Sequence, residues 1–362
     1  MDTREDLTTA ECPAPAMAHP LGSGNMPPLY GALDLGTNNC RLLIAKPTAD
    51  GFRIVDSFSR IVRLGEELAL TGRLKDEAIA RTLDALAVCR SKLQARGVTR
   101  MLLVATEACR SAENGPAFIA KVAEVLGLDL TVVDRETEAV LAASGCAALA
   151  DETADGIVLF DIGGGSSEIV WLSRPASERP GCSDRPKAIK DRIRIWTSLP
   201  LGVVTLADQF GGRDVTPESF EAMVSFVSEA MADFVEQARS QQRCDRFHLL
   251  GTSGTVTTVA GVFLGLSRYD RRQVDGLWMS HDDVSRVMRH LLAMPFEARA
   301  GHGCIGPDRA DLVLAGCAIL EAIRRAFPSD RLRIADRGLR EGILMTMMSA
   351  DEVWREPAEA QA

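Results

Sequence analysis

Apolar and polar positions along the chain follow two rhythms in turn. Short apolar runs at Tyr30 to Leu33, Cys40 to Ala45, Met101 to Ala105, Leu130 to Val133, Gly156 to Phe160, Glu168 to Leu172, Arg246 to Leu250 and Leu332 to Ala335 have the length and flanks of strands, and Phe52 to Arg63 adds another. Between them the apolar spacing widens to that of a helix, as at Ile79, Leu83, Leu86, Val88 and Leu93 within Lys75 to Arg96. Further helices are expected at Gly115 to Leu126, Glu136 to Leu149, Pro217 to Arg239, Asp282 to Leu292, Arg309 to Ala326 and Leu339 to Met348. Three strands followed by alternating helices and strands predict an α/β layer of the ribonuclease-H-like kind, and the pattern restarts at Gly156. Two such domains with a cleft between them follow: residues 29–150 joined by the C-terminal helix 336–350, and residues 151–335. Residues 1–28, rich in Ala, Pro, Gly and Thr, are expected to be a disordered extension.

Two strands end in the same way, with aspartate and then glycine: Leu33-Asp34-Leu35-Gly36-Thr37-Asn38 and Phe160-Asp161-Ile162-Gly163-Gly164-Gly165-Ser166-Ser167-Glu168. One Asp-x-Gly after a strand is ordinarily a turn. Two copies, each between apolar runs, point to a pair of facing half-sites. A glycine turn leaving a sheet exposes successive backbone N–H groups that suit phosphate oxygens. A carboxylate beside a phosphate is repelled unless a cation lies between them. Asp34, Asp161 and Glu168 are therefore expected to hold a hard, oxygen-loving ion, Mg²⁺. Gly36, Thr37, Asn38, Gly163, Gly164, Gly165, Ser166 and Ser167 are expected around the phosphate. A third turn, Gly251-Thr252-Ser253-Gly254-Thr255, leads from a strand into a helix through Val256 to Val262 and adds Gly251, Ser253 and Gly254 as phosphate contacts.

The formal charge of −9 argues against a broad nucleic-acid surface but not against a phosphate site in a cleft with local positive potential. Pro175 to Arg194 carries Arg179, Arg185, Lys187, Lys190, Arg192 and Arg194, and reads as a loop between two strands. Its part from Arg185 to Arg194, with Arg268, Arg271 and Arg272, would suit a long polyanion, although a solvated surface is at least as good a reading. The nine cysteines show neither Cys-x-x-Cys nor zinc spacing and read as reduced thiols in a cytoplasmic protein. The N-terminus opens with Asp2, Glu5 and Asp6, unlike a secretory signal, and no apolar stretch reaches the ~20 residues of a membrane span.

Eight segments together resemble the exopolyphosphatase and guanosine pentaphosphate phosphohydrolase family, within the actin, Hsp70 and sugar-kinase superfamily. They are Ala32 to Asn38, Ala105 to Arg110, Asp134 to Ala139, Asp161 to Glu168, Leu199 to Val204, Leu250 to Thr255, Asp308 to Asp311 and Leu339 to Gly342. The chain looks like a short, two-domain member. The resemblance implies Mg²⁺-assisted hydrolysis of a terminal phosphoanhydride, with Glu138 as the catalytic glutamate and Arg110 as a fixed cation on the phosphate. Thr137 and Val140 depart from the family pattern, which puts an accessory contact in doubt. The implied substrate is inorganic polyphosphate or, with the same chemistry, guanosine pentaphosphate, and a homodimer is a further implication. Other classes remain open: a sugar kinase, against which the Glu138 motif argues, and a nucleotide or polyphosphate sensor without turnover. Asp308 to Asp311 reads first as a helix cap.

Overall fold

The computed structural model describes residues 28–49, 51–151, 153–173, 189–241 and 246–354. Two sheets organise them. The first takes β1 (Tyr30–Leu35), β2 (Asn39–Thr48), β3 (Gly51–Ile61), β4 (Arg100–Ala105) and β5 (Leu130–Val132) in the order β3-β2-β1-β4-β5. The second takes β6 (Gly156–Ile162), β7 (Ser167–Ser173), β8 (Ile193–Leu199), β9 (Phe247–Thr252), β10 (Trp278–Ser280) and β11 (Arg331–Ala335) in the order β10-β11-β9-β6-β7-β8. Setting aside the short edge strand β10, both sheets share one plan: an antiparallel meander of three strands, then two parallel strands added beside the first. This is the actin/Hsp70-like arrangement of two ribonuclease-H-like layers.

Near-continuous apolar sequence in β1 and β6 follows from burial on both faces of the central strands, where alternation would place polar groups in the core. Two helices lie between the sheets. Arg135–Cys146 sets Ala139, Ala143 and Cys146 against Ile157, Leu159 and Val170 of the second sheet. Leu339–Ala350 returns Ile343, Leu344 and Met347 to Tyr30, Ala32 and Leu43 of the first. Where these helices cross, a Cβ on Gly342 would lie 1.9 Å from the Leu141 carbonyl oxygen and one on Gly145 would lie 2.0 Å from that of Gly338. Only hydrogen fits there, and this contact fixes how the lobes meet.

Several expectations shift in detail. The helix read from Pro217 to Arg239 is two helices, Pro217–Ala230 and Ala232–Gln241, with Met231 as the joint. The glycine-rich turn at Gly251 is not a turn: β9 is paired on both edges through Thr252, and the next helix, Ser253–Phe263, starts at once. Most of the basic segment Pro175 to Arg194, including Arg179, Arg185 and Lys187, lies outside the described residues, as does nearly all of the extension 1–28. The described end of that segment is a helical turn, Ile189–Arg192, followed by β8, and there Lys190 makes a surface pair with Glu136 at 3.6 Å.

Candidate active site

The two Asp-Gly turns are built alike. Gly36 N–H donates to the Asn39 carbonyl at 2.9 Å, and Gly163 N–H donates to the Ser166 carbonyl at 3.0 Å. Each closes a hairpin of the same length. These two amides are thereby consumed, whereas the N–H groups of Thr37, Asn38, Gly164 and Gly165 donate to no protein partner among the described residues. The second turn is held from behind by Val203 and Val204, whose N–H groups donate to the Gly163 and Gly164 carbonyls at 2.9 and 2.8 Å. Against the first it is tight: a Cβ on Gly165 would sit 2.5 Å from Thr37 Oγ1, and one on Gly164 would sit 3.1 Å from Asn38 N. The loops thus face each other at contact distance.

Between them is a cavity of about 110 Å³ lined by Asp34, Asp161, Glu168 and Glu138, by both turns, and by Thr106, Ser253 and Thr255. Burial raises Asp34, against the pull of Arg41 and Arg340. Asp161 is pushed up to about 6 by burial and the charge of Asp34, against a hydrogen bond from Ser253. Glu168 is pushed up to about 7 by burial and Asp161, although Ser198 Oγ donates to it at 2.8 Å. Glu138, at the start of Arg135–Cys146, rises well above the ordinary carboxylate range through burial and repulsion by Glu168. Four carboxyl groups thus resist ionising together unless a cation joins them. Among the described residues no three His, Cys, Asp or Glu side chains converge as a complete metal cage. An all-oxygen wall offering one or two carboxylates at a time fits an ion that completes its shell with water and phosphate, as Mg²⁺ does. Asn38 and Asn39 also present buried Oδ1 atoms with no donor among the described residues.

Glu138 is anchored from behind. Arg110 Nη2 donates to Glu138 Oε2 at 3.1 Å and to Glu107 Oε2 at 2.6 Å, while Nη1 donates to the Val133 carbonyl at 2.6 Å. Burial would raise Glu107, yet hydrogen bonds from Ser111, Arg110 and Arg135 hold it below its ordinary value, so it serves as a fixed anion for Arg110. Arg110, expected on the phosphate, is therefore spent on two carboxylates and a carbonyl and does not line the cavity. Two other expected contacts also point elsewhere. Gly251 pairs with Phe160 in the ladder and sits under that ring, where a Cβ would come within 2.7 Å of it. Ser167 is fully buried and donates to the Leu201 carbonyl at 2.7 Å. Ser253 and Gly254 do reach the cavity.

Sequence reasoning missed the cations. Arg41 stands opposite Asp34 in the β1–β2 register. It and Arg309 line the cavity and an adjoining chamber of about 500 Å³, to which Arg340 also belongs. None of the three has a carboxylate within ion-pair distance among the described residues. Burial lowers Arg309 and Arg340, and each is lowered further by the charge of Arg41. The usable signal was register: Arg41 falls across the hairpin from Asp34 as Glu168 falls across from Asp161. Asp308 to Asp311, read as a cap, instead joins the lobes, since Arg63 Nη2 donates to the Asp308 carbonyl at 3.0 Å and to Asp311 Oδ1 at 3.1 Å. The helix that follows, Val313–Ala326, has no side-chain cap.

The model of the Ppx/GppA phosphatase family matches residues 43–351. Exopolyphosphatase 2 of Mycobacterium tuberculosis is 29% identical over 333 residues, which cover 87% of this chain and 97% of that protein. The guanosine-5'-triphosphate,3'-diphosphate pyrophosphatase of Photobacterium profundum is 28% identical over 327 residues, 89% of this chain but 60% of that protein. The crystal structure of the Aquifex aeolicus member of the Ppx/GppA family superposes with a TM-score of 0.70 at 27% identity, covering 90% of this chain and 98% of that one.

Proposed function

The chain belongs to the Ppx/GppA phosphatase family, and from that premise we propose that it is an exopolyphosphatase, releasing terminal orthophosphate from inorganic polyphosphate by cation-assisted hydrolysis. The observation that carries this reading is the one cavity in which two phosphate-type turns, the carboxyl groups of Asp34, Asp161 and Glu168, and an anchored Glu138 meet. In it, the free N–H groups of Thr37, Asn38, Gly164 and Gly165 bind the terminal phosphate, and Arg41 and Arg309 take the next phosphates. Asp161 with Asp34 or Glu168 would hold Mg²⁺, which when bound neutralises phosphate oxygens. Glu138 accepts the proton of the attacking water as its oxygen bonds to the terminal phosphorus. The anhydride P–O bond breaks, and its electron pair leaves with the shortened chain. Because burial and Glu168 raise it, Glu138 is a better proton acceptor than an exposed glutamate. Arg110 keeps it aimed.

The pentaphosphate reading uses the same chemistry. The chain spans 97% of the exopolyphosphatase relative and 60% of the length of the pyrophosphatase one. Phosphate release from polyphosphate and from guanosine pentaphosphate, with and without Mg²⁺, tests the proposal. Polyphosphate is expected to be the better substrate, and turnover of the pentaphosphate alone overturns the assignment. Among the described residues no helix is long and apolar enough to cross a membrane, which fits an enzyme working on a dissolved polyanion.

A further inference from the structure

The lobes meet at a second place besides the crossing of their helices, and there the contact is polar. Past β3 the chain folds back beneath the first phosphate turn. The N–H groups of Val62 and Arg63 both donate to the Asn38 carbonyl, at 2.9 and 3.1 Å, and that of Gly65 donates to the Thr37 carbonyl at 2.9 Å. A Cβ on Gly65 would lie 2.3 Å from Thr37 Cγ2, so this segment is the floor on which the turn rests. The second turn has its own support in Val203 and Val204, at the start of the helix Val203–Phe210. Just past that helix, a Cβ on Gly212 would lie 1.8 Å from the Asp311 carbonyl oxygen, which ties this support to the Asp308–Asp311 segment.

Arg63 joins the two supports. Its Nη2 reaches from the first lobe to the Asp308 carbonyl and the Asp311 carboxylate of the second, at 3.0 and 3.1 Å, and the Glu67 N–H donates to the Asp208 carboxyl on Val203–Phe210. The segment gripped by Arg63 carries Arg309 into the reaction cavity and is braced from within by buried Arg299, whose Nε donates to the Ala310 carbonyl at 3.2 Å. Both residues that make the crossing from the first lobe, Arg63 and Glu67, hold left-handed backbones, with φ of 47° and 57°. Residues other than glycine and asparagine seldom stay there unless their surroundings impose it. Arg63 and Asp311 are each 32% exposed, and an ion pair so open to water adds little to folding. Each lobe also has a core of its own. What this contact does set is the place of one turn relative to the other.

We infer that Arg63 is a positioning residue for the proposed hydrolysis, a latch that holds the Thr37–Asn38 turn and Arg309 in the arrangement where the amides of both turns meet one phosphate. This rests on the reading that both turns bind the terminal phosphate. Without the latch only a fraction of molecules hold the turns together. A substrate must then draw them together itself, so its apparent affinity falls by that fraction while the bound complex reacts as before.

The test is Arg63→Gly, which keeps the left-handed backbone and removes only the latch. Its KM for tripolyphosphate is expected to rise about fivefold, with kcat within about twofold of wild type and Tm within about 2 °C. Loss of folded protein would instead lower the apparent kcat and leave KM alone. Asp311→Asn should raise KM to the same extent, the double variant Arg63→Gly/Asp311→Asn no further than either alone, and Arg63→Lys should recover most of the affinity. An unchanged KM in Arg63→Gly, or rises that multiply in the double variant, overturns the latch. If wild type hydrolyses neither polyphosphate nor guanosine pentaphosphate, the proposed function fails. The latch is then judged by spin labels on Val125→Cys in the first lobe and Glu218→Cys in the second: Arg63→Gly should lengthen or broaden the distance between them, and an unchanged distribution overturns it.

Discussion

The hairpins β1–β2 and β6–β7 are copies of one device with opposite charge. In both, an aspartate precedes a glycine turn closed by the same backbone hydrogen bond, and the residue directly across the ladder from that aspartate faces the same cavity. Across from Asp34 stands Arg41; across from Asp161 stands Glu168. Residues opposite each other in an antiparallel pair share a face, so this one position decides what each half-site attracts. The first lobe presents a cation beside its carboxylate and suits phosphate oxygens. The second presents two carboxylates, Asp161 raising Glu168, and suits a metal ion. Glu138 faces the second lobe's carboxylates from a helix laid on the second sheet. On the proposed reading both turns hold the terminal phosphate, and the labour divides at the position across each ladder, with Arg41 serving the phosphate chain and Glu168 the cation.

The largest expected effect breaks the acidic side outright. Glu138→Ala should lower kcat on polyphosphate by about 10²–10⁴-fold with little change in KM, as for loss of a general base, whereas a loss confined to KM would move Glu138 from chemistry to binding. The turns give a sharper contrast. Gly165→Ala places a methyl 2.5 Å from Thr37 Oγ1, while Gly36→Ala meets nothing nearer than 3.7 Å. Overpacking of that kind costs about 1–3 kcal/mol. Phosphate-release assays should show at least a fivefold loss for Gly165→Ala and less than a twofold loss for Gly36→Ala.

These contrasts also mark what the sequence could and could not disclose. The Asp-Gly turns were legible because they occur twice, each between apolar runs, and that pairing indicated facing half-sites. Gly251 misled: the same composition, glycine between an apolar run and hydroxyl residues, arises when a strand must pass under an aromatic ring, here Phe160, and only the pairing of β9 on both edges tells the cases apart. Arg41 could be found only through the hairpin register opposite Asp34, whereas Arg309 and Arg340 were missed because separate segments bring them to it and no local spacing records that convergence. Arg110 was expected on the phosphate and instead donates to Glu138, Glu107 and the Val133 carbonyl. From the chain alone its three acceptors, one of them a backbone carbonyl, cannot be seen.

A smaller effect separates the lobes by pH. Arg110 lowers Glu138, so removing that charge in Arg110→Gln should raise Glu138 further. The acid limb of the kcat profile should then move about one unit toward higher pH, and an unmoved limb would show that Glu138 does not govern it. The smallest effect is on stability. Asp161 and Glu168 stand at about 6 and about 7, above their ordinary values of 3.8 and 4.5. The folded state therefore favours their protonated forms, and the stability tied to them is present at low pH and lost as pH rises through 6 to 7. Mg²⁺ should restore it, raising Tm by about 2–4 °C at pH 8 and by nothing measurable at pH 5. An equal shift at both values would place the ion elsewhere.

The division of labour is tested most directly by a crystal structure of the Glu138→Gln variant with polyphosphate and Mn²⁺, whose anomalous signal locates the ion. The account predicts the terminal phosphate between the Thr37–Asn38 and Gly164–Gly165 amides, with the ion on the Asp161 and Glu168 side and Arg41 on the phosphate chain. An ion bound away from Asp161, or a terminal phosphate outside the paired turns, would contradict it.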